Sequence, residues 1–456
     1  MKSLEDIRIV VFESSLRENF RPLSLTRPTF DFLLGSCTKI QRIERSLGAK
    51  VTDVVVPKYL EQITREEHPG LRVNDEISEE CLAVNALLSS RYDFAGEAAN
   101  CPYNSSVHDP KTKLPVFARL DALDSRALAR LNQGQVPNSK VRQRSSDTQR
   151  AALLYFPWQL FEENSFAIAS DYEAERAPPD SSLEWGRDFR KKASDRRSDR
   201  KFRVSSSNTK NTTADYELLG DKVAISEGAE IERYVTLDSR GGPVIIEDGV
   251  QIQSFSHISG PCYIGKDSIV KSAKIREGTA IGAGCRISGE IEESIFFDYS
   301  NKNHDGFVGH SVIGSWVNLG ALTTNSDLKN TYGKVRVTVG TESLDSGSIK
   351  VGVFIGDMVK SAVGTIIYSG KKIGVSSHLF GTVVEDVPSF TIFAKSSGAV
   401  SKEIYLESAI ETQRRMMSRR NIAMSEERLN LLKALFEMTT SEREAAKVQS
   451  GRFELS

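Results

Sequence analysis

The side chains best suited to chemistry lie close together, between residues 299 and 329. They comprise one imidazole, two amines and two amides: His304, Lys302, Lys329, Asn318 and Asn325. A histidine titrates close enough to neutrality to accept a proton from a reacting group. Amides bind substrate hydroxyl or acetyl groups, and lysines bind phosphate. On residue types alone the segment is a candidate site for proton transfer, although a lone histidine in such a setting is more often structural.

Around this segment, apolar residues return every six positions, a period that fits neither an α-helix nor an ordinary strand. The series are Ile246, Ile252, Ile258, Ile264 and Val270; Ile275, Ile281 and Ile287; Phe307, Ile313 and Leu319; and Ile349, Ile355, Ile367, Ile373 and Leu379, with Ser361 as a polar exception. Hexapeptide periodicity predicts a parallel β-helix in which three short strands make each coil. The aliphatic residue points inward, and a following glycine lets the chain turn a corner.

Composition limits the class of protein. The chain has 456 residues, which favours two or three domains, and its formal net charge of −1 argues against electrostatic binding of nucleic acid. The five cysteines have neither CxxC nor paired spacing, so we expect no disulfide or zinc framework and a cytoplasmic location. The N-terminal apolar stretch is too short for a signal peptide, and no segment reaches the length of a membrane span.

The N-terminal region reads as an α/β domain. Two apolar stretches, residues 9–12 and 51–56, predict buried strands, and residues 36–47 between them predict a helix. Small molecules usually bind in the loops at the carboxyl ends of such strands. The first of these loops, residues 13–28, carries Arg17, Arg21 and Arg27, whose guanidinium groups suit phosphate oxygens.

Two further segments complete the organisation. Residues 176–215 are polar and charge-rich, with interspersed acids that favour a solvated linker over a nucleic-acid site. The C-terminal segment shows apolar residues at spacings of three and four, which predicts helices packed beside the prism or a neighbouring subunit. We therefore expect an α/β domain at 1–175, a linker at 176–215, a β-helix at 216–397 and helices at 398–456.

Several motifs resemble one enzyme family. The sequence RPLSLTRP at residues 21–28 resembles the segment that opens sugar-phosphate nucleotidyltransferase domains, and residues 84–88 and 155–161 resemble a divergent branch of that group. In that branch a hexapeptide acyltransferase domain follows, as in bifunctional N-acetylglucosamine-1-phosphate uridyltransferase/glucosamine-1-phosphate acetyltransferases. GEI at 289–291, SNKNHDGF at 300–307, WVNLGA at 316–321 and NSDLKN at 325–330 match it in order.

The resemblance implies a fold, substrates and an assembly. The expected fold is a Rossmann-like nucleotidyltransferase domain followed by a left-handed parallel β-helix and C-terminal helices. Implied small-molecule partners are a sugar phosphate, acetyl-CoA as acyl donor, and UTP or dTTP together with Mg²⁺. The family forms homotrimers whose active sites lie between adjacent chains.

The resemblance also implies residue roles. His304 stands where these enzymes carry the acetyltransferase base, fourteen residues before Asn318. Lys302 and Lys329 would hold the sugar phosphate, and Arg276 stands near the place of a phosphate-binding arginine. Asn318 and Asn325 would contact substrate hydroxyl or acetyl groups. In the first domain Arg17, Arg21, Arg27 and Asn85 would bind nucleotide.

The chain departs from the family pattern in both domains. Loop 13–19 has no glycine, Thr29 replaces a lysine, and Asn85 lies where a metal-binding aspartate is expected, so nucleotidyl transfer is in question. In the β-helix Phe307 replaces a tyrosine that would donate a hydrogen bond, and Glu292 replaces a lysine.

Two alternatives remain open at this stage. One is a catalytically reduced trimeric scaffold that binds a sugar nucleotide. The other is a metalloenzyme similar to γ-class carbonic anhydrases, which hold a metal between β-helix subunits with three imidazoles. The candidate ligands in this chain would be His257, His304, His310 and His378, although their spacings do not reproduce that family's pattern.

Overall fold

A seven-stranded sheet forms the α/β part of the chain in the computed structural model, which describes residues 7–123, 127, 130, 142–145, 152–176, 202–204 and 216–453. Its strand order is β5-β4-β1-β6-β8-β7-β9, and β5, β4, β1 and β6 are parallel. The strands in this part are β1 (Arg8–Phe12), β2 (Leu33–Leu34), β3 (Cys37–Thr38), β4 (Val51–Val55), β5 (Arg72–Val73), β6 (Cys81–Asn85), β7 (Ser105–His108), β8 (Pro115–Leu120) and β9 (Arg142–Ser145). The predicted α/β domain is thus confirmed.

The helices with described bounds beside this sheet are α1 (Lys39–Leu47), α2 (Glu61–Glu67), α3 (Ala95–Ala99) and α4 (Trp158–Arg176), with short 3₁₀ turns at Ser15–Phe20, Thr29–Asp31 and Lys58–Leu60. Helix α1 begins with a capping box, in which Thr38 and Gln41 satisfy each other's backbone N–H groups. It ends at Gly48, whose φ of 64° suits glycine. Because α1 connects the parallel strands β1 and β4, its amino end lies at the carboxyl edge of these strands.

The second half of the chain is a parallel β-helix, as predicted, preceded by an antiparallel edge strand. Its strands are β10 (Phe202–Val204), β11 (Glu217–Leu219), β12 (Val223–Ser226), β13 (Glu230–Ile231), β14 (Thr236–Asp238), β15 (Val244–Ile246), β16 (Gln251–Ile252), β17 (His257–Ser259), β18 (Cys262–Ile264), β19 (Ile269–Ile275), β20 (Thr279–Ile281), β21 (Arg286–Glu292), β22 (Ile295–Phe296), β23 (Asn301–Lys302), β24 (Phe307–Gly309), β25 (Val312–Ile313), β26 (Thr324–Asn325), β27 (Arg336–Val339), β28 (Glu342–Asp345), β29 (Val353–Ile355), β30 (Lys360–Ser361), β31 (Ile366–Ile367), β32 (Lys371–Ile373), β33 (His378–Leu379), β34 (Thr382–Val383), β35 (Thr391–Phe393) and β36 (Lys402–Glu403). The hairpin β27–β28 interrupts the coils.

Strand register stacks the inward residues into columns. One column runs Ile252, Val270, Ile287, Lys302, and a neighbouring one runs Ile258, Ile275, Ile291, Val308. Burying each aliphatic side chain contributes about 1.5–3 kcal/mol, which explains why the six-residue period is so regular.

Two positions of the predicted apolar series are wrong. Val308 takes the inward place that the series gave to Phe307, because Val308 pairs with the inward Ile291. Ile349 is 51% exposed, because it precedes the coil whose buried residues are Val353 and Ile355. Both errors fall where the number of residues per coil changes.

The α/β domain, the β-helix and the C-terminal helices share their cores. The three C-terminal helices are α5 (Leu406–Ser418), α6 (Glu426–Met438) and α7 (Thr440–Ala445). Leu432 and Leu435 of α6 belong to the same apolar cluster as Ile9 of the sheet and Trp316 of the β-helix. Helix α4 contacts four β-helix strands, and its Phe161 stacks on Phe354. The two domains therefore form one packed body.

Candidate functional site

The predicted base lies on an outer corner of the β-helix. Residues 303–306 join β23 to β24, and the His304 side chain is exposed there. The backbone carbonyl of His304 accepts a hydrogen bond from Lys302 Nζ, which fixes the turn. No carboxylate in the described part of the chain lies within ion-pair distance of the ring.

The same corner exposes apolar side chains on neighbouring coils. Leu322, whose N–H donates to the carbonyl of Asp305 beside His304, is 58% exposed, and Val363 on a following coil is 72% exposed. On earlier coils Phe255 is 74% exposed and stacks with Tyr234 at 5.6 Å. The imidazole therefore lies within an apolar edge (residues 234, 255, 304, 322 and 363), which the described residues of the chain leave exposed.

Two predicted substrate-binding residues point into the prism. Lys302 is 1% exposed and takes an inward place between Ile287 and Leu319. Burial lowers the pKa of Lys302 to about 8. Asn325 is 3% exposed, and its amide bonds both the N–H and the carbonyl of Gly309 and the carbonyl of Ser326. The Lys302 amine and the Asn325 amide thus form hydrogen bonds inside the β-helix and do not face a substrate.

Asn318, by contrast, lies on an outer face of the prism. In this face each outward residue directly precedes an inward one, and register stacks Arg286, Asn301, Asn318, Lys360 and His378 in one column. Arg420, just after α5, donates to Asn301 Oδ1 at 2.6 Å, and Asn301 lies 3.4 Å from Asn318 Oδ1. Asn318 therefore lies in a column that also contains Arg286 and Lys360.

The cations of this column lack acidic partners. We define Arg286, Lys360 and Arg420 as the cation cluster; none of them forms an ion pair with a described residue. Lys360 Nζ donates only to the carbonyls of Trp316 and Met358, and burial lowers its pKa to about 7. Burial also lowers the pKa of Arg286 and of Arg420, and a neighbouring arginine adds to this in each case: Arg420 for Arg286, and Arg419 for Arg420. Such a cluster is suited to an anion.

Arg276 and Lys329 are in different settings. Arg276 is half exposed and faces three carboxylates, with Glu292 at 3.1 Å and Glu290 at 3.6 Å. Glu292, the position of reversed charge, also receives Lys350 Nζ at 3.0 Å, so it is neutralised within the chain. Lys329 Nζ donates to the carbonyl of Lys334 at 2.6 Å. The structure does not bring these two residues into the cation cluster.

The arginines of loop 13–28 hold the protein together. Arg17 is 4% exposed and pairs with the buried Glu13 at 3.0 Å. Thr29, which replaces the family lysine, donates to the same carboxylate through its N–H and hydroxyl. Burial raises the pKa of Glu13. Arg21 pairs with Glu18 and Glu442, and Arg27 pairs with the buried Asp357 of the β-helix while lying over the Phe297 ring.

Asn85 does not fit a magnesium site. It is fully buried, its side-chain oxygen accepts the N–H of Leu87 at 3.0 Å, and its amide donates to the carbonyl of Pro115. Mg²⁺ is held mainly by carboxylates and water, and this oxygen is already used. Among the described residues no group of three or more His, Cys, Asp or Glu side chains could hold a metal. The residues present at this position therefore do not fit a magnesium ion.

Sequence reasoning missed Arg286 and Arg420, and it named His310 only as a candidate metal ligand. Arg286 and Arg420 escaped notice because no motif contains them, although the position directly before each inward residue would have pointed to Arg286. His310 also has a defined setting, since its Nδ1 lies 2.7 Å from Asp327 Oδ2 and its Nε2 lies 3.7 Å from Glu293. The ring meets Phe161 of α4 edge-on. His310 thereby fastens a β-helix corner to the covering helix.

Comparison with known proteins defines the class. Residues 9–177 match the family described as sugar nucleotidyl transferase. The fold and this match confirm the resemblance drawn from the sequence: a sugar nucleotidyltransferase-like domain joined to a hexapeptide β-helix.

Particular relatives combine two activities in their names. A bifunctional sugar-1-phosphate nucleotidylyltransferase/acetyltransferase from Sulfurisphaera tokodaii is 37% identical over 151 residues, covering 31% of this chain and 37% of that protein. The bifunctional protein GlmU of a Jannaschia species is 28% identical over 167 residues, covering 36% and 33%. The chain thus spans about a third of the length of these curated relatives.

Solved structures were also compared. The UDP-N-acetylglucosamine acyltransferase of Francisella novicida is 13% identical, with a TM-score of 0.26 over 50% of this chain and 87% of that chain. A putative acetyltransferase from Bacillus cereus is 14% identical, with a TM-score of 0.21 over 49% and 96%. Separately, none of the helices in the described ranges combines the length and apolar character needed to cross a bilayer.

Proposed function

We propose that this protein is a transferase of sugar-nucleotide biosynthesis that moves the acetyl group of acetyl-CoA to the amino group of a sugar phosphate. The observation that carries the proposal is the position of His304. Its side chain is exposed within the apolar edge, and it follows strand β23, whose Asn301 lies in the same column as Arg286 and Lys360. The names of the bifunctional relatives agree with this chemistry.

In the proposed reaction, the substrate amine attacks the thioester carbonyl. A carbon–nitrogen bond forms, the carbon–sulfur bond breaks, and His304 accepts the proton that the nitrogen loses. The coenzyme A thiolate leaves and takes up that proton from the imidazolium, which restores the base. Phe307 has no hydroxyl to assist, so proton transfer falls to His304.

The cation cluster would hold the anionic end of a substrate. Guanidinium groups bind phosphate oxygens in pairs. Neither arginine forms an ion pair with a described acid, and Arg286 Nη1 donates to the backbone carbonyls of Asp267, Gly284 and Cys285. Asn318, in the same column, supplies an amide for a hydroxyl or acetyl group. These roles replace those first expected of Lys302 and Asn325, whose side chains are turned inward.

A homotrimer is part of the proposal. The apolar edge leaves Leu322, Val363 and Phe255 more than half exposed, and exposed apolar patches of this kind mark interaction sites. A second copy packed along this edge would enclose His304 between chains. None of the five cysteines forms a disulfide and all are buried, in keeping with the cytoplasmic location we propose.

A second candidate concerns the α/β domain alone. The relatives' names include nucleotidyl transfer, which would use UTP or dTTP here. The internal pairing of Arg17, Arg21 and Arg27 and the setting of Asn85 favour instead a domain that no longer performs that step. Release of pyrophosphate from UTP or dTTP in the presence of sugar phosphates would decide for nucleotidyl transfer.

The deciding experiment for the main proposal is a screen of acetyl acceptors. Purified protein is mixed with acetyl-CoA and a set of amino-sugar phosphates, and release of the thiol is followed. We expect at least one acceptor to be acetylated on nitrogen. Binding of a sugar nucleotide without consumption of acetyl-CoA by any acceptor would instead support the scaffold.

A further inference from the structure

A cavity in the α/β domain lies apart from every residue discussed as a site above. It has a volume of about 210 Å³ and lies between α1, the loop after β6 and α4. Helix α1 begins, and β6 ends, at the carboxyl edge of the parallel sheet, where small molecules bind in such folds. The cavity therefore occupies a favourable place for a ligand.

The lining of this cavity is cationic and rich in hydroxyl groups. It includes three cations, one acid and several serines: Lys39, Arg42, Arg45, Asp171, Ser46, Ser89, Ser90 and Ser170. Asp171 is 1% exposed, and its oxygens already accept from Arg42, from Arg45 and from the N–H and hydroxyl of Ser36. Its charge is therefore offset by its own partners.

Two of the cations keep unused hydrogen-bonding capacity. The buried Arg42 Nε has no hydrogen-bond partner among the described residues. Lys39 is 1% exposed, and among the described residues its Nζ donates only to the carbonyl of Leu88, at 2.5 Å; burial lowers its pKa to about 7. An unpaired buried donor or charge costs free energy, and an anion in the cavity would remove that cost.

The nearby acids do not accept hydrogen bonds from Lys39 Nζ or Arg42 Nε. Glu163 accepts from the hydroxyls of Ser89 and Ser90 and from the N–H of Ser90. Glu175 lies 4.0 Å from Arg45 at the edge of the site. Neither side chain lines the cavity.

We propose that this cavity binds a single phosphoryl group, either as free phosphate or on a monophosphorylated sugar. Arg42 and Arg45 present guanidinium groups, Lys39 an amine, and Ser46 and Ser170 hydroxyl groups, which is a fitting donor set for phosphate oxygens, while the hydroxyls of Ser89 and Ser90 stay bonded to Glu163. A cavity of about 210 Å³ is smaller than the usual 300–1,000 Å³ of ligand pockets, so a nucleoside triphosphate does not fit inside it. The inference does not depend on acyl transfer, because it uses other residues.

The test is titration calorimetry on the full chain with inorganic phosphate, glucosamine 6-phosphate and a nucleoside triphosphate in separate arms. Arg45→Gln removes a partly exposed guanidinium group and should weaken phosphate binding about tenfold, since one charge-assisted hydrogen bond is lost. Ser170→Tyr, on an exposed position of α4, should block the cavity without unfolding the protein. Arg65→Gln is the matched control, because Arg65 is 38% exposed against 32% for Arg45 and also pairs with a carboxylate.

Binding that is weakened by Arg45→Gln and Ser170→Tyr, and left unchanged by Arg65→Gln, would support the site. A tighter constant for glucosamine 6-phosphate than for phosphate would identify the sugar-borne group as the ligand, and the reverse would identify the free ion. No binding at millimolar phosphate, or equal weakening by Arg45→Gln and Arg65→Gln, would overturn it. The proposal would also be overturned if the triphosphate bound far more tightly than phosphate and Arg45→Gln abolished that binding.

Discussion

Lys302 places an amine where neighbouring coils place aliphatic residues. Its Nζ has the carbonyl of His304 as hydrogen-bond acceptor, and Asp305 is the nearby acid that favours its charge. Because the pKa is lowered to about 8, the folded protein binds fewer protons at this amine than the unfolded chain between pH 8 and 10.5. Lys302 therefore makes folding stability rise with pH across that interval and lowers stability below it.

We predict that Lys302→Met flattens this pH dependence. The slope of unfolding free energy against pH between 8 and 10 should fall by up to about 1.4 kcal/mol per pH unit, the value for one proton. Urea unfolding at several pH values measures it, with the exposed Lys274→Met as control. A slope unchanged from wild type would show that the amine is not buried as described.

The cation cluster makes a separate prediction for Arg420→Gln. Loss of a guanidinium group without an acidic partner should raise the KM of a phosphate-bearing substrate about tenfold and leave kcat nearly unchanged, because the group binds and does not transfer protons. Steady-state kinetics on the acceptor found in the screen gives both constants. Arg419→Gln, the exposed neighbour, serves as the control. Equal KM values for Arg420→Gln and wild type would remove the cluster from the site.

Residue chemistry could be predicted only partly from the sequence. The segment around His304 stood out because its motif is specific, and the exposed ring is compatible with that hypothesis. Lys302 and Asn325 could not be placed, because a one-residue shift of register exchanges inward and outward positions. Arg420 could not be found at all, since it reaches Asn301 from a helix more than a hundred residues away.

At the level of elements, helix α4 joins the two domains. Asn164 is fully buried and accepts the N–H of Gly35 from the α/β domain, while it donates to the carbonyl of Gly278 from the β-helix. We predict that Asn164→Ala destabilises the protein by roughly 1–3 kcal/mol for each backbone group left without a partner. Chemical unfolding measures the loss, and Ser170→Ala on the exposed side of α4 is the control. A variant as stable as wild type would mean that α4 does not carry this link.

The period of six predicted the coils, and the apolar stretches predicted the first strands. The packing of α4 could not be predicted from the sequence, because this helix is buried against both the sheet and the β-helix and has no single apolar stripe. Its buried polar residues, Glu163, Asn164 and Asp171, find partners that are distant in the chain. Tertiary contacts of this kind are not encoded in a local pattern.

For the whole molecule, the docking of the α/β domain on the β-helix rests partly on one buried ion pair. Arg27 and Asp357 have side chains 16% and 1% exposed. Removing one partner leaves the other charge buried and unpaired, so Asp357→Asn should destabilise the protein by about 3–5 kcal/mol. Arg27→Met should lower the free energy of unfolding by a similar amount, and the double variant should lower it by less than the sum of the two single effects.

A double-mutant cycle by calorimetric unfolding measures this coupling. Additive effects of Arg27→Met and Asp357→Asn would contradict the pairing. The order of domains along the chain could be predicted from the resemblance, but this docking could not, because loop 13–28 reads equally well as a phosphate-binding loop. Only the position of Asp357 shows that Arg27 is used for assembly.

The most direct measurement of the central claim is thiol release from acetyl-CoA by His304→Ala, with the accepted amino-sugar phosphate present. Loss of a general base should lower kcat by about a hundredfold or more, with the oligomer unchanged by gel filtration. His257→Ala, which removes another exposed histidine of the β-helix, should retain wild-type turnover. Turnover of His304→Ala equal to that of wild type would contradict the account.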